Sequence, residues 1–179
     1  MASRVLHLLG SAAPPVVDLV DIVWRAQTDG WTVCVGLTPT AAEWIKGQLS
    51  ALEGQTGNPV RSTPRKFGER EMWPRADATI LAPATLNTVN ASALGLTTNF
   101  VTGQVAEAIG RRWPLVVMPC VNSEYATHPQ FGPSMETLRN AGVRVLFGEG
   151  GFQPDPPGEG DRRAYPWALA LDAARSLAK

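Results

Sequence analysis

The chain has 179 residues, 44% of them hydrophobic, with 16 basic and 16 acidic side chains and a formal net charge of zero. That length suits a single domain, residues 1–179, with a sizeable core. The charge balance argues against a nucleic-acid-binding face, and no apolar run approaches the ~20 residues that cross a bilayer. With no signal-peptide core at the N-terminus, a cytoplasmic protein that does not engage membranes is expected. Cys34 and Cys120 form no disulfide framework, and neither they nor His7 and His128 have metal-ligand spacing.

The apolar run Val5–Leu9 stops at Gly10-Ser11 and reads as a strand covered on both faces. Pro14 and Pro15 stand where a helix can start, and the stripe Val16, Val17, Leu19, Val20, Val23 and Trp24 carries it toward Asp29-Gly30. Thr32–Leu37 is a second strand, followed by a helix with Thr38 as N-cap and Pro39 at its first position. Residues 50–75 are turn-rich and weakly patterned. Ala78–Ala82 is a third strand ending at Pro83, with helices expected over Asn87–Gly95 and Phe100–Ile109. Leu115–Met118 is a fourth strand, Phe131–Asn140 a helix, and Val143–Phe147 a fifth strand. The Gly/Pro-rich segment 148–163 reads as a mobile loop and a candidate substrate lid. An Ala/Leu-rich helix over Tyr165–Lys179 closes the chain. This alternation predicts an α/β fold of the doubly wound, Rossmann or flavodoxin-like kind, with a parallel sheet of five to six strands and helices on both faces.

In such sheets ligands bind beyond the carboxyl ends of the strands. Four segments fall there: Gly10-Ser11-Ala12-Ala13, Leu37-Thr38-Pro39-Thr40, Ala82-Pro83-Ala84-Thr85-Leu86-Asn87-Thr88, and Met118-Pro119-Cys120-Val121-Asn122. All are rich in small, hydroxyl or amide residues, and three lead into helix N-termini, which favour phosphate. Singly, each also reads as an ordinary turn or cap. Their convergence on one crevice carries the functional reading. Neither G-x-G-x-x-G nor a P-loop is present.

These motifs, with Ala93-Leu94-Gly95, Asn99 and His128-Pro129, resemble the homo-oligomeric flavin-containing cysteine decarboxylases over roughly residues 4–147. That family includes phosphopantothenoylcysteine decarboxylase and lantibiotic peptidyl-cysteine decarboxylases. The third motif is similar to the family's P-A-[ST]-x-N-T. The resemblance implies an FMN cofactor, with FAD as the alternative, at subunit contacts of a trimer or of a dodecamer of trimers. Gly10, Ser11, Ala12, Thr38, Thr40, Pro83, Ala84, Thr85, Asn87, Thr88, Pro119 and Cys120 would then form the flavin site, and Asn122 would face the substrate carboxylate. It further implies oxidation of a cysteine to a thioaldehyde, an electron sink from which CO₂ leaves to give an enethiolate.

The sequence departs from the family in three places. The family's catalytic histidine lies fourteen positions before the proline of P-A-[ST]-x-N-T, where Glu69 stands here. Glu69 and His128 are the candidate bases, and His7, between apolar neighbours, reads as a hydrogen-bonded core residue. The family's P-x-M-N-x-x-M-W becomes Pro119-Cys120-Val121-Asn122-Ser123-Glu124-Tyr125-Ala126. Finally, residues 148–179 lack the flap cysteine of the phosphopantothenoylcysteine enzymes, so the reaction would stop at the enethiol. The leading expectation is oxidative decarboxylation of a C-terminal cysteine on a peptide precursor. The alternative is a flavin-binding protein of this fold without decarboxylase activity, in a redox, regulatory or assembly role. Six tryptophans are many for so small a core, which points some of them at subunit contacts.

Overall fold

A computed structural model describes residues 4–178. Five strands, β1 (Arg4–Gly10), β2 (Trp31–Leu37), β3 (Ala78–Ala84), β4 (Leu115–Pro119) and β5 (Arg144–Val145), form one parallel sheet in the order β2-β1-β3-β4-β5. The near-continuous apolar runs dictate this, because β1 to β4 are covered on both faces, whereas the short edge strand β5 leaves Arg144 exposed. Along β1, Leu6 and Leu8 enter one core, and Leu9 enters the other.

Helices α1 (Leu19–Thr28), α2 (Pro39–Trp44), α3 (Leu49–Thr56) and α8 (Trp167–Leu177) cover the first face with Ile22, Val23, Ala41, Leu52, Trp167 and Leu171. Helices α4 (Leu86–Ala93), α5 (Phe100–Gly110) and α7 (Phe131–Asn140) cover the second with Val89, Val101, Val105, Met135 and Leu138. A single short turn, α6 (Ser123–Ala126), follows β4.

Three local expectations are modified. The two prolines start a 3-10 turn over Pro14–Asp18, and the α-helix begins only at Leu19. The weakly patterned region contains α3, which buries only Leu52 and ends on Gly57 with φ of 67°. Such a helix leaves almost no periodic signal. Beyond it, Arg61 bridges Gly36 in parallel on the outer edge of β2. The fifth strand pairs over Arg144–Val145 alone, because the chain turns back at Gly148 and Gly150, both at positive φ, and Phe147 bridges Phe152. Of the six tryptophans, Trp31, Trp73 and Trp167 are buried, whereas Trp24 and Trp44 are more than half exposed.

Candidate active site

The sheet order reverses at β1, whose neighbours β2 and β3 carry the chain in opposite directions. The crevice that this creates lies above the carboxyl ends of the strands. Two adjoining cavities occupy it and share Ala12, Thr85, Leu86 and Tyr125.

The larger, about 620 Å³, is lined by Ser11, Thr38, Thr40, Thr85, Thr88 and Thr98, with Asn87 and Asn99. Its hydroxyls and amides arise from helix caps. Thr38 Oγ1 accepts from the Ala41 amide at 3.3 Å, and Thr85 Oγ1 accepts from the Thr88 amide at 3.4 Å. Asn99 and Thr102 form a reciprocal capping box at α5. The Ser11 hydroxyl, at the cavity floor, donates to the Pro83 carbonyl and accepts from the Thr85 amide. No lysine, arginine, aspartate or glutamate lines this cavity among the described residues.

The smaller cavity, about 360 Å³, opens between the β4 terminus and the outer segment 152–165. Cys120, Val121, Asn122 and Tyr125 form one side, and Phe152, Asp155, Asp161, Arg162 and Tyr165 form the other. Asn122 caps α6, its Oδ1 accepting from the Tyr125 amide at 2.9 Å. That bond fixes the amide plane and leaves Nδ2 as the free donor. Burial, helped by the charge of Asp155, pushes the Cys120 thiol up to about 12, so it stays protonated at neutral pH. Tyr165 donates to the Met118 carbonyl at 2.6 Å and, being fully buried, titrates well above an ordinary tyrosine. The outer segment is tied down by an Arg162–Asp18 ion pair and by the Ser123 amide, which donates to the Asp155 carbonyl.

The crevice gathers most of the residues singled out from the sequence. Ser11, Ala12, Thr38, Thr40, Thr85, Asn87 and Thr88 line the larger cavity, and Asn122 the smaller. Cys120 also lines the smaller one. Gly10, Pro83, Ala84 and Pro119 are strand-end residues beneath the surface, with a cis peptide at Ala82-Pro83. Glu69 and His128 line neither cavity. Glu69 is solvent-exposed, bonded to the Lys66 amide and the Arg61 guanidinium, and held below the usual carboxylate range by these partners. His128 is exposed and accepts from the Gln130 amide through Nδ1. His7 is the core histidine expected: Nε2 meets the Pro74 carbonyl at 2.9 Å, and burial lowers its pKa. Phe152, Asp155, Arg162 and Tyr165 carry no motif or periodicity that marks them as cavity residues, beyond their lying in or after the Gly/Pro-rich stretch.

Residues 4–162 match the family described as Flavoprotein. The chain belongs to that flavoprotein family. It is 33% identical over 149 residues to the coenzyme A biosynthesis bifunctional protein CoaBC of Thermococcus kodakarensis, a match covering 79% of this chain and 35% of the relative. The flavoprotein thus spans about a third of the length of the curated relatives it matches. Among solved structures it superposes on MrsD from a Bacillus species with a TM-score of 0.74 at 19% identity, covering 98% of this chain and 96% of MrsD. SpaF, an FMN-dependent cysteine decarboxylase, gives 0.70 at 20% identity, covering 97% and 98%. A phosphopantothenoylcysteine (PPC) decarboxylase mutant complexed with pantothenoylaminoethenethiol gives 0.69 at 18% identity, covering 98% of each chain. At these identities the shared property is the fold.

Proposed function

We propose that this flavoprotein binds FMN and oxidatively decarboxylates the C-terminal cysteine of a peptide to an enethiol. The observation that carries the reading is the pair of adjoining cavities: one uncharged and rich in hydroxyls and amides, the other presenting the Asn122 amide. The first fits a flavin, whose ribityl hydroxyls need neutral partners and whose phosphate is favoured at the N-terminus of α4. Ser11, Thr38, Thr40 and the Thr85–Thr88 turn would hold it. FMN, when bound, supplies the two-electron acceptor. The substrate loses CO₂ and two hydrogens in all, and dioxygen is the oxidant that restores the flavin between turnovers.

Asn122 Nδ2 is suited to the substrate carboxylate. A neutral donor orients the carboxylate without stabilising a charge that the reaction must disperse, whereas an arginine there would favour the ground state. Segment 148–163 serves as the lid, because it forms the outer wall of the smaller cavity and would shield a bound substrate from water. A homo-oligomer, trimeric or dodecameric, is part of the same reading. It is supported by exposed Trp24, Trp44, Phe67, Leu94 and Leu96, which a monomer would leave in water. The two free cysteines are in keeping with a reducing cytoplasmic setting.

A second reading, a flavin-binding protein without decarboxylase activity, is favoured by one observation. The position where the decarboxylases carry histidine is Glu69, paired with Arg61 outside both cavities. One experiment separates the two readings. The purified protein is examined for a flavin absorption spectrum, its chromophore is identified by mass, and it is incubated with cysteine-ended peptides in air. Loss of CO₂ and two hydrogens, seen by mass, supports the decarboxylase. A yellow protein that leaves every peptide intact supports the second reading, and a colourless one that takes up neither FMN nor FAD overturns both.

A further inference from the structure

The smaller cavity carries unbalanced negative charge. Its wall carries two solvent-exposed carboxylates, Asp155 and Asp161, and the Asp155 side chain lies over Gly160, next to Asp161 in the chain. Asp161 uses Oδ1 to accept from the Arg163 amide at 2.9 Å, and neither carboxylate has an ion-pair partner among the described residues. The cavity's one lining cation among those residues, Arg162, is already paired with Asp18. The field of Asp155 is felt inside the cavity, since it adds to burial in raising the Cys120 thiol. A ligand entering past this wall therefore meets two solvated carboxylates without an ion-pair partner and no available guanidinium.

We propose that Asp155 and Asp161 are specificity-determining residues that select a lysine or arginine among the three residues preceding the terminal cysteine. This rests on the reading that the cysteine reacts beside Asn122. A cationic side chain supplies the missing counter-charge. A phosphorylated substrate, with its ≈ −1.5 to −2 charge, is repelled. The acidic wall thus directs the enzyme toward basic peptides and away from small phosphorylated cysteine conjugates.

The test uses the flavin-loaded, full-length protein and peptides with Lys, Gln or Glu at each of the three positions. Each peptide is made with a terminal cysteine for turnover and with a terminal serine for binding by calorimetry. Expected is about tenfold tighter binding of the best Lys peptide than of its Glu counterpart, expressed in KM rather than kcat and shrinking at high salt. The Asp155→Asn/Asp161→Asn double variant should lose that preference while retaining its flavin and melting temperature. Equal binding of the serine-ended peptides, an unchanged preference in the double variant, or tighter binding of phosphopantothenoylcysteine would overturn the selectivity. If the serine-ended peptides discriminate but no cysteine-ended peptide loses CO₂, selectivity stands and the decarboxylase reading fails.

Discussion

The hydroxyl of Ser11 donates to the carbonyl oxygen of Pro83 at 2.8 Å, joining the loop after β1 to the end of β3. Ser11 Oγ in turn accepts from the Thr85 amide at 2.8 Å, so one side chain sets the spacing of two crevice segments. Ser11→Ala leaves the Thr85 amide without its partner, while the Pro83 carbonyl keeps only its bond from the Ser11 amide at 2.9 Å. A loss of about 1–3 kcal/mol is expected, read as a lower melting temperature, together with weaker FMN retention. If flavin affinity is unchanged while stability drops, Ser11 only braces the crevice.

Asn122 caps α6 through Oδ1, and in the proposed reaction it would also present Nδ2 to the substrate. Asn122→Asp preserves a capping oxygen but removes the donor and repels a carboxylate. Asn122→Ala removes both. Turnover should fall by at least a hundredfold in both variants, with flavin still bound. Near-normal turnover in Asn122→Asp would reduce the residue to a cap.

Gly36 lies in β2 where the chain has no room for a side chain. A Cβ there would stand 2.6 Å from Leu9 Cδ2, 3.0 Å from Phe100 and 3.1 Å from Trp73. Gly36→Ala should cost about 1–3 kcal/mol by overpacking, measured in urea titration. A neutral result would mean that the His7–Trp73–Phe100 cluster yields more readily than its edge-on ring packing, with centroids 4.8 and 5.2 Å apart, suggests.

The elements that bury continuous apolar runs were legible in the sequence, as was the Thr38-Pro39 cap, because strand burial and capping are local chemistry. So was the convergence of Ser11, Thr38, Thr85 and Asn122, since strand ends in a parallel sheet share one edge. Helix α3 was not legible, because Leu52 alone faces the core. The acidic wall was also hidden: Asp155 and Asp161 lie in a stretch without periodicity. Only the placement of β5 beside β4 and the return of the chain through Phe152 and Tyr165 bring them over the crevice. Glu69 was legible as a motif position, but its pairing with Arg61 follows from the bridge that holds Arg61 at the edge of β2 and the turn that returns Glu69 to it.

His7 makes the fold sensitive to acid. Burial lowers its pKa from the ordinary 6.5, against the opposing Pro74 hydrogen bond and the more distant charges of Glu71 and Glu107. The folded chain therefore binds its proton less readily than the unfolded chain does. The stability contributed by neutral His7 is fully present above about pH 6.5 and is lost as pH falls toward the folded value. His7→Gln keeps a donor for the Pro74 carbonyl but does not titrate. Melting temperatures measured from about pH 7.5 to about pH 5 should thus fall more steeply in the wild-type protein than in the variant. Parallel curves would show that the acid limb arises elsewhere and that His7 is protonated as easily in the core as in water.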